Sequence, residues 1–189
     1  MRQEPRIPLV SEANCTEQQR ELLSKGGKYN LNVFRALANH PDLVRRWEPF
    51  SAHIFFKTSL PVRDRELLTL RSAWLVQSEY QWARHVKYGT EVGLTAEEIE
   101  RVKAGPDAPG WTDHERAVLR SVDEMREHTD ITDATWATLS NRYSNIELMD
   151  LVFSNGQNFM VAAASKIFRI PLDPDVRDFG WSDAEASSG

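Results

Sequence analysis

The sequence predicts an all-α fold on three observations. Apolar residues recur at spacings of three and four along most of the chain, as on the buried face of an amphipathic helix. No segment shows a convincing two-residue alternation, the pattern of a half-buried strand. Five segments open with a capping box, in which Ser or Thr is followed three residues later by Glu or Gln. These pairs are Thr16/Gln19, Ser78/Gln81, Thr95/Glu98, Thr112/Glu115 and Ser144/Glu147.

The order of these signals predicts a succession of short helices in one domain. We expect an extended N-terminal arm over residues 1–15, which contains Pro5 and Pro8, one helical domain over 16–180, and a disordered tail over 181–189. His40 and Pro41 mark the start of a helix with a kink or break at Pro49. The other helices are expected after Thr16, over 29–37, 63–76, 78–92 and 95–103, after Thr112, and over 132–143 and 146–168.

The last of these helices has a polar segment in the middle of an apolar element. Its residues 155–158 read Asn-Gly-Gln-Asn, between apolar residues that include Leu151 and Phe159. A Gly inside a helix costs roughly 1 kcal/mol relative to Ala. The sequence therefore indicates that another helix or a ligand approaches Gly156 closely.

Composition excludes several classes of partner. The 189 residues carry a formal net charge of -5, which argues against nucleic acid because phosphate binding needs clustered Lys and Arg. No apolar run reaches the ~18 residues of a membrane span, and the N-terminal residues lack the apolar core of a signal peptide. We expect a cytoplasmic protein with a small-molecule substrate and with no nucleic-acid or membrane partner.

Cysteine content excludes one mechanism. Cys15 is the only cysteine, so this chain alone can form neither an internal disulfide nor a CxxC redox pair. A dithiol peroxidase mechanism is therefore excluded for the chain on its own. Cys15 has no His nearby in sequence, and we expect an incidental surface residue.

The chemistry-bearing residues are concentrated between Glu66 and His85. On one helix, Ser78, Gln81, Trp82 and His85 fall within roughly a third of the circumference, because spacings of three, four and seven return to one face. Glu66 lies 12 residues before Ser78 and reaches them only if the chain bends. The predicted capping box at Ser78 starts a new helix there, which supplies the bend.

This stretch resembles a known family. Glu66 is followed by Ser78, Gln81 and His85 at 12, 15 and 19 residues, the spacing of the carboxymuconolactone decarboxylase and alkyl hydroperoxidase D-like superfamily. Peroxidase members read E…CxxCxxxH, and this chain has Ser78 and Gln81 in place of both cysteines. The decarboxylase-like branch reads EYEWxxH, which residues 79–85 match except that Gln81 replaces Glu. The resemblance extends over roughly residues 31–174.

The resemblance implies a helical bundle that assembles as homo-trimers or hexamers, with Trp74, Phe159 and the N-terminal arm expected near subunit contacts. It also implies a decarboxylase that needs no cofactor. Loss of carbon dioxide from an unsaturated lactone acid leaves a carbanion that must be stabilised and reprotonated. His85 is then the proton donor and Glu66 orients it, while Ser78, Gln81 or Tyr80 bonds the developing oxyanion.

The candidate substrate-binding residues are Tyr80, Trp82, Trp74, His53 and Glu79. Several of the candidate site residues have a structural alternative: Ser78 as an N-cap, Trp82 as a core aromatic, His53 as a core imidazole bonded to backbone, and Glu66 and Glu79 as partners of nearby arginines. His114 and His128 are expected to be exposed.

Two other functions stay open. One is a metal-dependent enzyme with Glu66, Glu79, His53 and His85 as ligands, although the paired Glu-x-x-His helices of diiron bundles are missing. The other is an oligomeric protein that binds a small ligand through Trp82 and His85 without turnover.

Overall fold

A computed structural model describes residues 4–179 and Trp181. These residues form nine α-helices and no strands, which confirms the predicted all-α fold. The helices are α1 (Glu17–Leu23), α2 (Asn32–Leu37), α3 (Pro41–Phe56), α4 (Val62–Val76), α5 (Glu79–Glu91), α6 (Ala96–Ala104), α7 (Asp113–His128), α8 (Asp133–Ser140) and α9 (Asn145–Ile167). Short 3-10 helices cover Glu12–Asn14 and Gly27–Asn30.

Helix α4 lies at the centre of the bundle and packs against α5, α6, α7 and α9. Its buried residues include polar ones, Glu66, Thr69 and Ser72, beside Leu67, Leu68 and Leu70. On one side Leu68 packs with α7, α8 and α9. On the other, Leu67 and Leu70 pack with α5, α6 and α7. A helix surrounded in this way places its polar side chains inside the protein.

Four of the five capping boxes form as predicted. At Thr16, Thr95, Thr112 and Ser144 the hydroxyl accepts the N3 backbone N–H, and the N3 side chain accepts the N-cap N–H. The box predicted at Ser78 is wrong. Ser78 is the N-cap of α5 by position, but its side chain forms no capping bond.

The geometry of the α4–α5 turn explains this difference. Gln77 adopts a left-handed conformation with φ 57°, and the Ser78 N–H donates to the Ala73 carbonyl at 3.0 Å. The connection is therefore the C-terminal turn of α4 as much as the start of α5. Ser78 is 1% exposed, and its Oγ has no hydrogen-bond partner among the described residues.

The N-terminal arm packs on its own chain. The Arg6 N–H donates to the Phe168 carbonyl at 3.0 Å, and the Val10 N–H donates to the Arg35 carbonyl at 3.1 Å. Val10 is buried beside Leu23. Helix α3 continues through Pro49 without a break. The tail predicted from residue 181 lies outside the described residues except for Trp181.

No helix in the described part of the chain is long and apolar enough to cross a membrane.

Candidate functional site

The turn between α4 and α5 brings Glu66 and His85 into contact. Glu66 lies in the first half of α4 and His85 in the middle of α5, and the His85 Nδ1 is 2.7 Å from the Glu66 Oε2. The side chains are 1% and 5% exposed. A proton on Nδ1 is held by the carboxylate, which leaves Nε2 as the ring nitrogen available for chemistry.

The Glu66 carboxylate has a second cationic partner. Its Oε1 accepts hydrogen bonds from Arg65 Nη2 at 3.0 Å and Nε at 3.2 Å, and Arg65 Nη1 also donates to the Phe55 carbonyl. Burial alone would raise the pKa of Glu66, but the nearby His85 and Arg65 outweigh burial and lower that pKa. Glu66 is therefore a carboxylate at neutral pH, where it can accept a hydrogen bond from the imidazole.

Aromatic rings hold the imidazole in place. Phe55 is stacked on His85 with ring centroids 6.0 Å apart and an interplanar angle of 26°. Tyr88, one helical turn further along α5, meets it edge-on at 5.5 Å. With Glu66 bonded to Nδ1, these contacts restrict the orientation of the ring.

The pair lies on the wall of a cavity of about 360 Å³. Both Glu66 and His85 line it, together with Gln81, Tyr80 and Arg84 of α5. The cavity is the size of a small-ligand site. Its remaining lining is largely aromatic and aliphatic, and comprises Lys28, Leu31, Val33, Phe34, Trp47, Ser51, Phe55, Phe56, Arg65, Tyr88, Glu91, Val92 and Val161.

Gln81, like Arg84 with its Nε, contributes a buried polar atom with unused hydrogen-bonding capacity to this wall. It is 3% exposed, and its Oε1 has no partner among the described residues. A buried amide oxygen without a partner is costly, by ~1–3 kcal/mol. The cavity wall thus contains an acceptor that a bound molecule can satisfy.

Tyr80 and Arg84 are tied to the segment that follows α9. The Tyr80 hydroxyl donates to Asp173 Oδ2 at 2.6 Å and accepts the Val33 N–H at 3.2 Å. Arg84 donates to Asp173 at 2.6 Å and to Asp175 at 2.8 and 3.0 Å. Tyr80 therefore lines the cavity, with its hydroxyl already bonded to Asp173 and to the Val33 N–H.

The predicted aromatic wall of Trp74 and Trp82 is not at the cavity. Trp82 is fully buried and packs on Trp74 at 5.7 Å and on Trp181 at 5.6 Å. Trp82 follows Gln81 by ~100° of helix rotation, which turns it from the cavity toward α4 and α6. Ser78 does not line the cavity either. Helical spacing grouped Ser78, Gln81, Trp82 and His85 on one face but did not indicate which of them line the cavity.

Glu79 and His53 also lie elsewhere. Glu79 Oε1 accepts the backbone N–H groups of Phe179 and Trp181, both at 3.1 Å. His53 is half exposed on α3, and its Nε2 is 3.0 Å from Asp150 Oδ1, a carboxylate contact in place of the backbone bond of the structural alternative. Within residues 4–179 and Trp181, no group of three or more His, Cys, Asp or Glu side chains has the geometry of a metal site.

The expectation that His114 is exposed is wrong. It is not exposed: its side chain is 10% exposed, and its Nε2 lies 3.0 Å from Asp64 Oδ2 and 3.1 Å from the Tyr143 hydroxyl. The Tyr143 hydroxyl also donates to Asp64 at 2.5 Å. His128 is exposed as predicted, with 59% of its side chain accessible.

Arg65, Phe55 and Tyr88 were missed as site residues. Tyr88 had a local signal, since it lies three residues after His85 on the same helix. Arg65 had a local signal too, since it directly precedes Glu66 on α4. Phe55 reaches the imidazole from α3, and no spacing in the sequence encodes that contact.

The fold and this pair define a class of protein: a helical bundle in which two adjacent helices place a buried Glu–His pair on an apolar cavity. Residues 41–124, which contain Glu66 and His85, match the model of the carboxymuconolactone decarboxylase family. The chain is therefore similar to this family over somewhat less than half of its length, and it has the alkyl hydroperoxidase D-like fold. No curated protein matches the chain.

Solved structures share the fold at low sequence identity. An uncharacterized peroxidase-related protein from Ralstonia eutropha JMP134, described as an alkylhydroperoxidase AhpD core, is 16% identical over 90% of this chain and 93% of its own, with a TM-score of 0.76. An uncharacterized peroxidase-related protein from Silicibacter sp. TM1040 is 14% identical over 89% of this chain and 91% of its own, with a TM-score of 0.74. A protein of unknown function from Agrobacterium tumefaciens is 20% identical over 72% of this chain and 94% of its own, with a TM-score of 0.65.

Proposed function

We propose that the protein is a cofactor-free enzyme that moves a proton at a carbon atom of a small carbonyl-bearing acid or lactone, by decarboxylation or a related lyase or isomerase reaction. The observation that carries the proposal is the buried His85–Glu66 contact of 2.7 Å on the wall of the 360 Å³ cavity. Imidazole titrates near neutrality, and a carboxylate on Nδ1 stabilises the protonated ring.

In the decarboxylation version, the bond between the carboxylate carbon and the adjacent carbon breaks, and its electron pair delocalises into the neighbouring carbonyl. The protonated His85 donates its Nε2 proton to the resulting carbanion. Glu66 keeps the ring oriented and offsets its charge while it is protonated. In an isomerase version, His85 would first take a proton from one carbon and then return it to another.

The apolar lining contributes by excluding water. Phe34, Trp47 and Phe55 surround the cavity, and a substrate carboxylate that loses its hydration there is destabilised relative to the dispersed charge of the carbanion. Gln81 would orient a substrate that carries a hydroxyl group, because its unpaired Oε1 can accept a hydrogen bond from that hydroxyl. Ser78, which lies off the cavity, has no role in this proposal.

A dithiol peroxidase is disfavoured although two of the similar structures are named peroxidase-related. The chain has one cysteine, Cys15, and it is in contact with Glu12 in the N-terminal segment.

The alternative we retain is a non-catalytic protein that binds a small ligand in the same cavity, because the cavity and the unpaired Gln81 would serve binding equally well. A metal-dependent enzyme is less favoured, since His53 and Glu79 point to other partners. The cytoplasmic location stays a prediction.

The test uses a panel of lactone and β-keto acids in deuterated water, with carbon dioxide release and deuterium uptake followed together. His85→Gln should abolish both, because Gln cannot carry a proton near neutral pH. His128→Gln is the matched control, since this exposed His lies on α7 away from the cavity, and it should behave as wild type.

Equal turnover in wild type and His85→Gln would remove His85 from the mechanism. If no panel member is turned over or exchanged but one binds saturably, and binding persists in His85→Gln, the ligand-binding alternative is favoured.

A further inference from the structure

The proposed reaction puts negative charge on the carbonyl oxygen of the substrate. When a carbanion forms beside a carbonyl group, its electron pair delocalises onto that oxygen, and a hydrogen-bond donor held there lowers the barrier. Ser78 does not line the cavity, and the Tyr80 hydroxyl donates to Asp173. The Gln81 atom that is buried without a partner is Oε1, an acceptor. A charged donor on the same wall would therefore add to the stabilisation of that oxygen.

Arg84 is a buried cation with an unused donor on this wall. Its side chain is 7% exposed, and it lines the cavity together with His85. Its Nε, which always carries a proton in a guanidinium group, has no hydrogen-bond partner among the described residues. A buried N–H without an acceptor is unfavourable, so a bound molecule that offers an oxygen to Arg84 Nε satisfies it.

The rest of the guanidinium group is held by two carboxylates. Nη2 donates to Asp173 Oδ2 at 2.6 Å and to Asp175 Oδ1 at 2.8 Å, and Nη1 donates to Asp175 Oδ2 at 3.0 Å. The Tyr88 ring lies beside the group, with its centroid 5.7 Å from Arg84 Cζ. These contacts fix the position of the Nε N–H before a substrate enters, and a donor fixed in advance needs no reorganisation during the reaction.

The charge around Arg84 is already balanced. Lys87 also pairs with Asp175, at 2.5 Å, so two cations face the carboxylates of Asp173 and Asp175. A substrate carboxylate at Arg84 would be repelled by these two, whereas a neutral carbonyl oxygen that gains charge only during the reaction suits the Nε N–H. Burial would lower the pKa of Arg84, but hydrogen bonds to Asp175 and Asp173 outweigh burial and raise that pKa. Arg84 therefore donates a hydrogen bond without giving up its proton.

We propose that Arg84 is a catalytic residue: its Nε N–H donates to the carbonyl oxygen of the substrate and stabilises the enolate that forms there. The assignment rests on the proposed proton transfer by His85. The two residues are consecutive on α5, about 100° apart around the helix axis, and both line the cavity. One small molecule can therefore place its reacting carbon at His85 Nε2 and the neighbouring carbonyl oxygen at Arg84 Nε.

The atoms and electrons of this step balance within the substrate and His85. The bond from the reacting carbon to its carboxylate or to its proton breaks, and the electron pair forms a carbon–carbon double bond as the carbonyl π pair moves to oxygen. Carbon dioxide leaves in the first case, and neutral His85 takes the proton in the second. The enolate then collapses and carbon takes a proton from protonated His85, while Arg84 keeps its own proton.

Turnover of the panel compounds by Arg84→Lys tests the assignment. Lys keeps a positive charge for Asp173 and Asp175 but has no N–H group at the position of Nε. We expect kcat to fall on the order of 100-fold with little change in KM, because the hydrogen bond strengthens as the oxygen gains charge. Arg71→Lys is the matched control: this arginine is also buried and donates through two nitrogens to one carboxylate, Asp123, and it does not line the cavity. Its kcat should equal that of wild type.

Thermal unfolding shows whether both variants are folded at the assay temperature. If His85→Gln abolishes turnover while folded Arg84→Lys keeps the kcat of Arg71→Lys, the proposed function stands and the assignment of Arg84 is wrong.

Binding of para-nitrophenol tests the same donor without turnover, because the phenolate and the phenol absorb at different wavelengths. Wild type should bind the phenolate on the order of 10-fold more tightly than the phenol, since charge-assisted hydrogen bonds are the stronger ones. Arg84→Lys should lose most of this preference and Arg71→Lys should keep it. A wild type without the preference, or its full retention by Arg84→Lys, would overturn the assignment even where no panel compound is turned over.

Discussion

Replacing Glu66 with Gln tests the charge at the centre of the site. Glu66 is 1% exposed, and its carboxylate accepts hydrogen bonds from His85 Nδ1 and from two nitrogens of Arg65. Gln keeps the volume but has one acceptor oxygen, and its NH₂ group faces a donor on the other side. Glu66→Gln therefore leaves a buried donor unpaired and removes the charge that balances Arg65.

We expect this change to lower the free energy of unfolding by about 3 kcal/mol at pH 7, within the range for losing a buried charged partner. Because the folded-state pKa of Glu66 lies below the usual value for a carboxyl group, the stabilisation by the carboxylate is fully present above the usual pKa of ~4.3. It is lost as pH falls through the lowered folded-state pKa. The difference between wild type and Glu66→Gln should therefore shrink on acidification.

Urea unfolding followed by circular dichroism at several pH values between 7 and 3 measures both expectations. Glu100→Gln is the control, since this side chain is 63% exposed and pairs with Lys103, and exposed pairs contribute ~0–1 kcal/mol. A loss for Glu66→Gln no larger than that of the control, or a difference that grows as pH falls, would refute this reasoning.

Two other predictions concern buried contacts that support α4. Gly105→Ala should lower the free energy of unfolding by at least ~2 kcal/mol. Gly105 has φ 92°, and a Cβ there would lie 2.8 Å from the Arg71 guanidinium, which is paired with Asp123. Thermal unfolding measures the loss of stability, and an unchanged melting temperature would contradict the geometry. Tyr143→Phe should cost ~1–2 kcal/mol, because it leaves buried Asp64 without a hydroxyl donor at 2.5 Å. Urea unfolding at pH 7 checks this, and a variant as stable as wild type would show that the bond adds nothing.

The sequence predicted what depends on local geometry. The starts of α1, α6, α7 and α9 follow from capping boxes that form within a single turn. The contact of Glu66 with His85 was predicted because it needs only two helices and a bend between them. The bend itself forms through a left-handed Gln77 and not through the capping bond expected at Ser78.

The rest of the site depends on how helices pack. Helical spacing gives the angle between Gln81 and Trp82 but not which of them faces a cavity, and α4 and α6 bury Trp82 on the other side. Phe55 reaches His85 from α3, and Asp64 draws His114 inward from α7. Such contacts join residues 30 to 50 positions apart, so neither composition nor periodicity indicates them.

In the proposed mechanism, Glu66 holds the Nδ1 proton of His85, so that Nε2 is the atom that exchanges protons with substrate. Nitrogen-15 NMR of histidine-labelled protein tests it most directly, since the chain has five histidines and His85→Gln assigns the relevant signals. We expect that neutral His85 is protonated on Nδ1 and that its Nε2 signal shifts when a panel acid or lactone binds. A neutral His85 protonated on Nε2, or an Nε2 signal unchanged by a bound compound that is turned over, would contradict it.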